Sequence, residues 1–191
     1  GRSAQRGAGV LSVAVVGSPT TGGVLASYAS LCDLRVAEAG AVIGFAGPRL
    51  VLDLAAEDVT GRSHSAETAL AAGLVDAVVP ADELDGWVDV ALGTRPGPAP
   101  AVPPRPAPEP DAIPPGGRVT GAWGEVVASR RADRPTGIDV AIALCDSWLD
   151  LAAPDPTVRT GLVDIGATRA VVIASDRHAA DGRPRPQGFR Q

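Results

Sequence analysis

Residues 96–115 read PGPAPAVPPRPAPEPDAIPP and hold 10 of the chain's 18 prolines. Each proline fixes its own φ and removes a backbone donor, so such a run cannot sit inside a helix or a central sheet strand. It is expected to be a semi-extended, solvated linker. The chain of 191 residues must therefore fold on either side of it. The expected organisation is a first piece over residues 1–95, a linker over 96–118 and a second piece over 119–191. Apolar residues make up 45% of the chain and aromatics only 3%, so both cores must be built from Ala, Val, Leu and Ile.

Within the first piece, VLSVAVVG (10–17) is a short apolar, β-branched run, the pattern of a strand buried on both faces. Val24 to Leu31 is helix-like. LRVAEAGAVIGFAG (34–47) reads as two short strands with a turn near Gly40. SAETALAAG (65–73) has Ser65 as N-cap, Glu67 in the first turn and Gly73 past the end, which specifies a helix. LVDAVVP (74–80) is a further strand, and Asp82 is expected to cap a helix with the stripe Leu84, Trp87, Val88 and Leu92. In the second piece a helix is expected around AWGEVVASRR and another from Thr136 to Leu151, with Ile138, Ile142, Cys145 and Leu149 on one face. GLVDIG and RAVVIAS read as strands. Strands alternating with helices argue for a layered α/β core.

All 17 basic residues are arginines, the net charge is −5, and no arginine cluster interleaves with aromatics, which argues against a nucleic-acid surface. No apolar stretch is long enough to span a bilayer, and no signal-peptide pattern opens the chain. The chain does not begin with Met, so residue 1 is not expected to be its natural start. Cys32 and Cys145 lack ligand spacing and are expected to be buried free thiols of a cytosolic protein. His64 and His178 each stand without a Cys, His or carboxylate at ligand spacing, so both are expected to be solvated and neither to bind metal. Asp33 and Glu38 are expected to be structural charges at strand ends, and Asp76 a partner for a helix terminus.

Gly22 and Gly23 lie between a strand-like run and a helix-like one. A strand entering a helix there presents unpaired amides and the positive end of the helix dipole. A phosphate-binding GxxxxGK[ST] loop is excluded because the chain has no Lys, and GxGxxG is absent. Two readings remain: an oxyanion hole for acyl chemistry, or a turn where helix and strand pack closely.

Longer stretches bear on that choice. PTTGGVLASYASLCDLRVAEAGAVIGFAGPRLV, followed by HSAETALAAGLVDAVVPADEL, resembles the β-type half of acyl-CoA carboxylase carboxyltransferases, with FAGPR and the AE…GLVD pair as the specific motifs. RADRPTGIDVAIALCDSWLDL through RAVVIASDRHAADGRPRPQGFRQ resembles the opening of the α-type half, on the DRP motif and the final Pro-x-Gly-aromatic-Arg pattern. In this order, with a Pro-rich link, the two look like a fused β/α carboxyltransferase.

The resemblance implies a crotonase-like spiral ββα fold, with one nearly complete half and the start of a second. It implies transfer of a carboxyl group from biotin on a separate carrier protein to acetyl-CoA or another short acyl-CoA, giving malonyl-CoA for fatty-acid synthesis. The amides of Gly22, Gly23 and Val24 would form the oxyanion hole. Ile43, Gly44, Phe45, Ala46 and Gly47 would line the acyl pocket, with Arg49 placed for a phosphate or carboxylate of CoA. Core packing is the competing reading for Phe45, and a surface position for Arg49. Biotin is the implied cofactor. The implied partners are the biotin carboxyl carrier protein, biotin carboxylase and further copies of the chain in a cytoplasmic homo-oligomer. No bound metal is expected in this chain. GRSAQRG fits poorly where the family has an Arg-containing glycine loop, and the second half's own glycine turn is expected beyond Gln191, as in a fragment. A malonate decarboxylase β/γ-type subunit and an inactive scaffold of the same fold are the alternative readings.

Overall fold

The computed structural model describes residues 7–46, 64–101, 121–129, 134–153 and 155–179. The first piece is built on a parallel sheet. Strand β1 (Val13–Val16) leads to the short strand β2 (Thr20–Thr21) and directly into helix α1 (Gly22–Ser27). A 3-10 turn, Ala29–Leu31, precedes β3 (Leu34–Glu38), and a turn at Gly40 leads to β4 (Ile43–Gly44). Helix α2 (Ala66–Ala71), β5 (Ala77–Val79) and α3 (Leu84–Leu92) follow. The strand order is β1-β3-β5, all parallel, with β2 and β4 forming a separate parallel pair.

The two faces of the sheet are covered differently. On one, Ala14, Val16 and Ala37 pack with Leu25 and Ala29 after the glycine turn, with Ile43, and with Ala66 and Ala69 of α2. On the other, Leu34 and Val36 meet Trp87 and Ala91 of α3. Val15 is 54% exposed, so β1 is not buried on both faces over its whole length. Ser65 caps α2 as its sequence indicates, its hydroxyl accepting from Thr68 N at 3.1 Å. Asp82 does not cap α3. The chain has already turned through the 3-10 segment Ala81–Glu83, and Glu83 is the N-cap, without a side-chain bond. The buried face of α3 is Trp87, Val90 and Ala91, while Leu92 is 46% exposed.

In the second piece α4 (Ala122–Ser129) and α5 (Gly137–Leu144) precede the strands β6 (Ser147–Leu151), β7 (Val158–Ile165) and β8 (Thr168–Ser175). The helix does not run to Leu151. Cys145 is already extended, and Ser147–Leu151 pairs antiparallel with Asp164–Thr160 of β7. The sheet order is β6-β7-β8, antiparallel throughout. One face receives Ile138, Ala141 and Cys145 of α5 against Trp148, Val163 and Ala174. The other contributes Leu162, Leu149 and Leu151 to the cluster around Trp87 and Ala91, so α3 packs against residues of both sheets. Pro98, early in the Pro-rich run, accepts from Trp148 N at 3.0 Å, and Ala152 N donates to Asp76 O at 2.8 Å. Cys32 and Cys145 are buried free thiols, and burial, then the nearby Asp146 charge, pushes the Cys145 thiol up.

Candidate functional site

The glycine turn and the IGFA stretch are brought together by a two-stranded sheet, the smallest among the described residues. Thr20 pairs with Ile43 and Thr21 with Gly44 in parallel register, and Thr20 N donates to Val42 O at 2.9 Å. Gly22 follows at once with φ +58°, in the left-handed region where a Cβ is disfavoured. Its Cα faces Phe45, whose carbonyl oxygen lies 3.7 Å from where a Cβ would stand. Helix α1 starts at this residue. Thr21, its N-cap, is extended and makes no side-chain capping bond to the first turn, in contrast to Ser65 on α2. The first-turn residues Gly22, Gly23 and Val24 thus lie beside Gly44–Ala46. Gly23 has nothing within 4 Å of an added Cβ, so this side of the turn is open.

The side chains divide between core and surface. Ile43 is 1% exposed and belongs to the core of the first piece. Phe45 is 76% exposed and Val24 62%, so Phe45 does not serve core packing, and both flank the open turn. Gly47 and Arg49 lie outside the described residues. Asp33 is structural, accepting from Ser12 N at 2.9 Å and Ser12 Oγ at 2.6 Å. Asp76 is not a helix partner. It accepts from Arg35 N at 2.7 Å and pairs with the Arg35 guanidinium at 3.2 Å, holding β3 to the start of β5.

His64 is the residue beside this turn that sequence reasoning misplaced. It is buried, not solvated. Its Nε2 lies 2.8 Å from Ala46 O; a carbonyl can only accept, so this nitrogen carries the proton. Its backbone carbonyl accepts from Ile43 N at 3.1 Å. The ring lies over Gly44 so closely that a Cβ there would be 2.1 Å from His64 Cδ2. A side chain at this position would have to displace the imidazole, which occupies its space. His178 is also not fully solvated, being half-buried with its Nε2 enclosed. Among the described residues no group of three or more His, Cys, Asp or Glu is placed to hold a metal, and no helix is long and apolar enough to cross a membrane.

No protein-family model matches the chain. It is 32% identical over 201 residues to the acetyl-coenzyme A carboxylase carboxyl transferase subunits beta/alpha of Frankia alni, covering 96% of this chain and 33% of that protein. The corresponding protein of Salinispora arenicola is 33% identical over 186 residues, covering 92% and 33%. A probable biotin-dependent acyl-coenzyme A carboxylase beta3 subunit of Mycobacterium tuberculosis is 46% identical over 120 residues, covering 61% and 22%. The chain is a homologue of the acyl-CoA carboxylase carboxyltransferases. It spans about a third of the length of the fused beta/alpha relatives it matches.

Solved structures give the fold of this carboxyltransferase homologue independently. The transcarboxylase 12S core superposes with a TM-score of 0.59 at 20% identity over 89% of this chain and 33% of that one. A single-chain, multi-domain long-chain acyl-CoA carboxylase gives 0.57 at 20% identity over 91% and 16%. The fold is α/β and crotonase-like, as the resemblance implied.

Proposed function

We propose that the chain is the acyl-CoA-handling part of a biotin-dependent carboxyltransferase, delivering a carboxyl group to the α-carbon of a short acyl-CoA such as acetyl-CoA. The observation that carries this reading is the Thr21–Gly44 pairing, which sets an uncapped helix start beside the IGFA stretch in a homologue of these enzymes. The chemical difficulty is the enolate. Removing the α-proton leaves negative charge on the thioester oxygen, and an oxygen seated at Gly22, Gly23 and Val24 would meet backbone amides and the positive end of α1. Such donors are fixed before the reaction starts, so none of their ordering is left for the transition state, and losing one costs about 3 kcal/mol on precedent for oxyanion holes. Phe45 and Val24 supply apolar surface beside that point, Gly44 and Ala46 the backbone wall, and Ile43 the anchor to the core. Gly47 and Arg49, outside the described residues, are proposed in the roles the resemblance implies, Gly47 in the acyl pocket and Arg49 for CoA. Carrier-bound biotin supplies the carboxyl group. The carrier, biotin carboxylase and a homo-oligomer are the partners this reading requires, and acetyl-CoA feeding fatty-acid synthesis in the cytoplasm its first substrate and setting.

The test is calorimetric titration of acetyl-CoA and propionyl-CoA into wild type, Gly23→Ala and Gly23→Pro, with carboxyl transfer measured beside it. An added Cβ at Gly23 meets nothing within 4 Å, and of the two substitutions only proline deletes the amide. Saturable binding is expected in wild type and Gly23→Ala, with turnover lowered about a hundredfold in folded Gly23→Pro. A folded wild-type chain that binds no acyl-CoA would overturn the reading.

A further inference from the structure

We propose that His64 is a positioning residue for the acyl site, clamping the Ile43–Ala46 turn at both ends; this rests on the function proposed above. Three observations converge on one residue. Its side-chain Nε2–H donates to Ala46 O at 2.8 Å, at the end of the turn. Its backbone carbonyl accepts from Ile43 N at 3.1 Å, at the beginning. Between the two, its ring fills the space a side chain at Gly44 would need. The strand β4 has two residues and, among the described residues, its ladder partner is β2, itself two residues long, so that ladder alone cannot hold it rigidly. Phe45 sits at the crest of this turn, with its carbonyl towards Gly22 and its ring exposed. A turn fixed at Ile43 and Ala46 fixes Phe45 and, through it, the distance between the apolar wall and the amides of α1. Loss of the imidazole leaves the Ile43 end bonded, because that bond uses the backbone of His64, and frees the Ala46 end. The acyl group would then still bind but would sample positions off the amides, a defect in turnover more than in affinity.

The variants are His64→Ala, His64→Gln, whose amide can donate to the same carbonyl, and Gly44→Ala, whose methyl expels the ring. Carboxyl transfer is measured for kcat and KM of acyl-CoA, and amide hydrogen exchange is read over residues 43–46. His64→Ala should lower kcat about ten- to hundredfold with KM changed less than about threefold, and should speed exchange in that segment. His64→Gln should restore most of kcat, and Gly44→Ala should reproduce the alanine defect. Unchanged kcat in folded His64→Ala, or a loss that His64→Gln does not restore, overturns the positioning role while leaving the functional reading standing. A folded wild-type chain with neither binding nor transfer refutes the functional reading and the positioning role together.

Discussion

Arg169 on β8 joins the two pieces of the chain, and its replacement by Met is the most direct probe of their coupling. Its guanidinium donates to Asp164 through Nε at 2.8 Å and a terminal nitrogen at 3.0 Å. The other terminal nitrogen donates to Val90 O at 2.7 Å and Ala91 O at 3.0 Å, the last-turn carbonyls of α3. Methionine keeps the length and apolar stem of the side chain while removing every donor, so packing is largely conserved. The Asp164 pair is about a quarter exposed on each side and by itself contributes under about 1 kcal/mol. The charge at a helix C-terminus adds up to about 2 kcal/mol in a partly buried setting. Together they give a loss of up to about 3 kcal/mol, which in a chain of this size lowers Tm by up to roughly 10 °C.

Chemical and thermal denaturation followed by circular dichroism would measure it. The pH dependence supplies a second reading of the same contact. Hydrogen bonds from Arg169, then from Ser147, hold the Asp164 carboxyl below its usual value. A depressed folded-state value means that its stabilisation is complete above the ordinary Asp range, about pH 4, and is lost as pH falls through the lower folded value. Arg169→Met removes the largest cause, so the variant's acid limb should be flatter and its deficit against wild type should shrink below about pH 4. A deficit under about 0.5 kcal/mol at neutral pH, or one that does not shrink in acid, would refute the assignment of Arg169 as the tie between α3 and the second sheet.

Three further outcomes test the packing. Ser65→Ala should cost about 1 kcal/mol in denaturant titration, since Ser65 Oγ supplies the capping acceptor for α2. Gly161→Ala should be strongly destabilising, by about 1–3 kcal/mol or more, because the new Cβ would stand 2.4 Å from Trp148 Cε2; displacement of the ring should also change the near-UV circular dichroism. Cys32 and Cys145, both buried, should react with a thiol reagent only as fast as the protein opens, and stoichiometric fast labelling of either in the native state would contradict the cores described.

The elements most legible in the sequence were those whose signals are local. Ser65, Glu67 and Gly73 bracket α2 within nine residues, and Gly40 marks the turn between β3 and β4. The misreadings share a different cause. Ile138, Ile142, Cys145 and Leu149 are spaced as one helical face, yet the helix ends after Leu144 because Ser147–Leu151 finds a ladder on β7; Leu149 then packs with Trp87 and Leu162, apart from the cluster of Ile138 and Cys145, so tertiary pairing overrides the helical spacing. Asp82 has the chemistry of a cap but sits inside a 3-10 turn that only the preceding Pro80 carbonyl reveals. His64 looked solvated because its neighbours in sequence are polar, while its partner Ala46 lies 18 residues away. Arg169 and the carbonyls it holds are 78 and 79 residues apart, beyond the reach of any window-based reading.

That pattern also explains why the candidate site was readable as a motif but not as a geometry. Its two walls alternate between core and solvent over neighbouring positions: Leu25 is 5% exposed beside Val24 at 62%, and Ile43 is 1% exposed two residues before Phe45 at 76%. The inward members belong to one hydrophobic cluster with Ala66 and Ala69 of α2, so the positions of Val24 and Phe45 are inherited from core packing. A two-residue ladder is too short to set such a distance by its hydrogen bonds alone. The small side chains around it let the backbones come close, and His64, entering from the start of α2, closes the remaining gap at Ala46. The glycines are therefore bare for two separate reasons. Gly22 needs its left-handed backbone, whereas Gly44 needs only to make room for an imidazole. One residue type at two neighbouring points of a motif reports two different constraints, and only the contacts around each tell them apart.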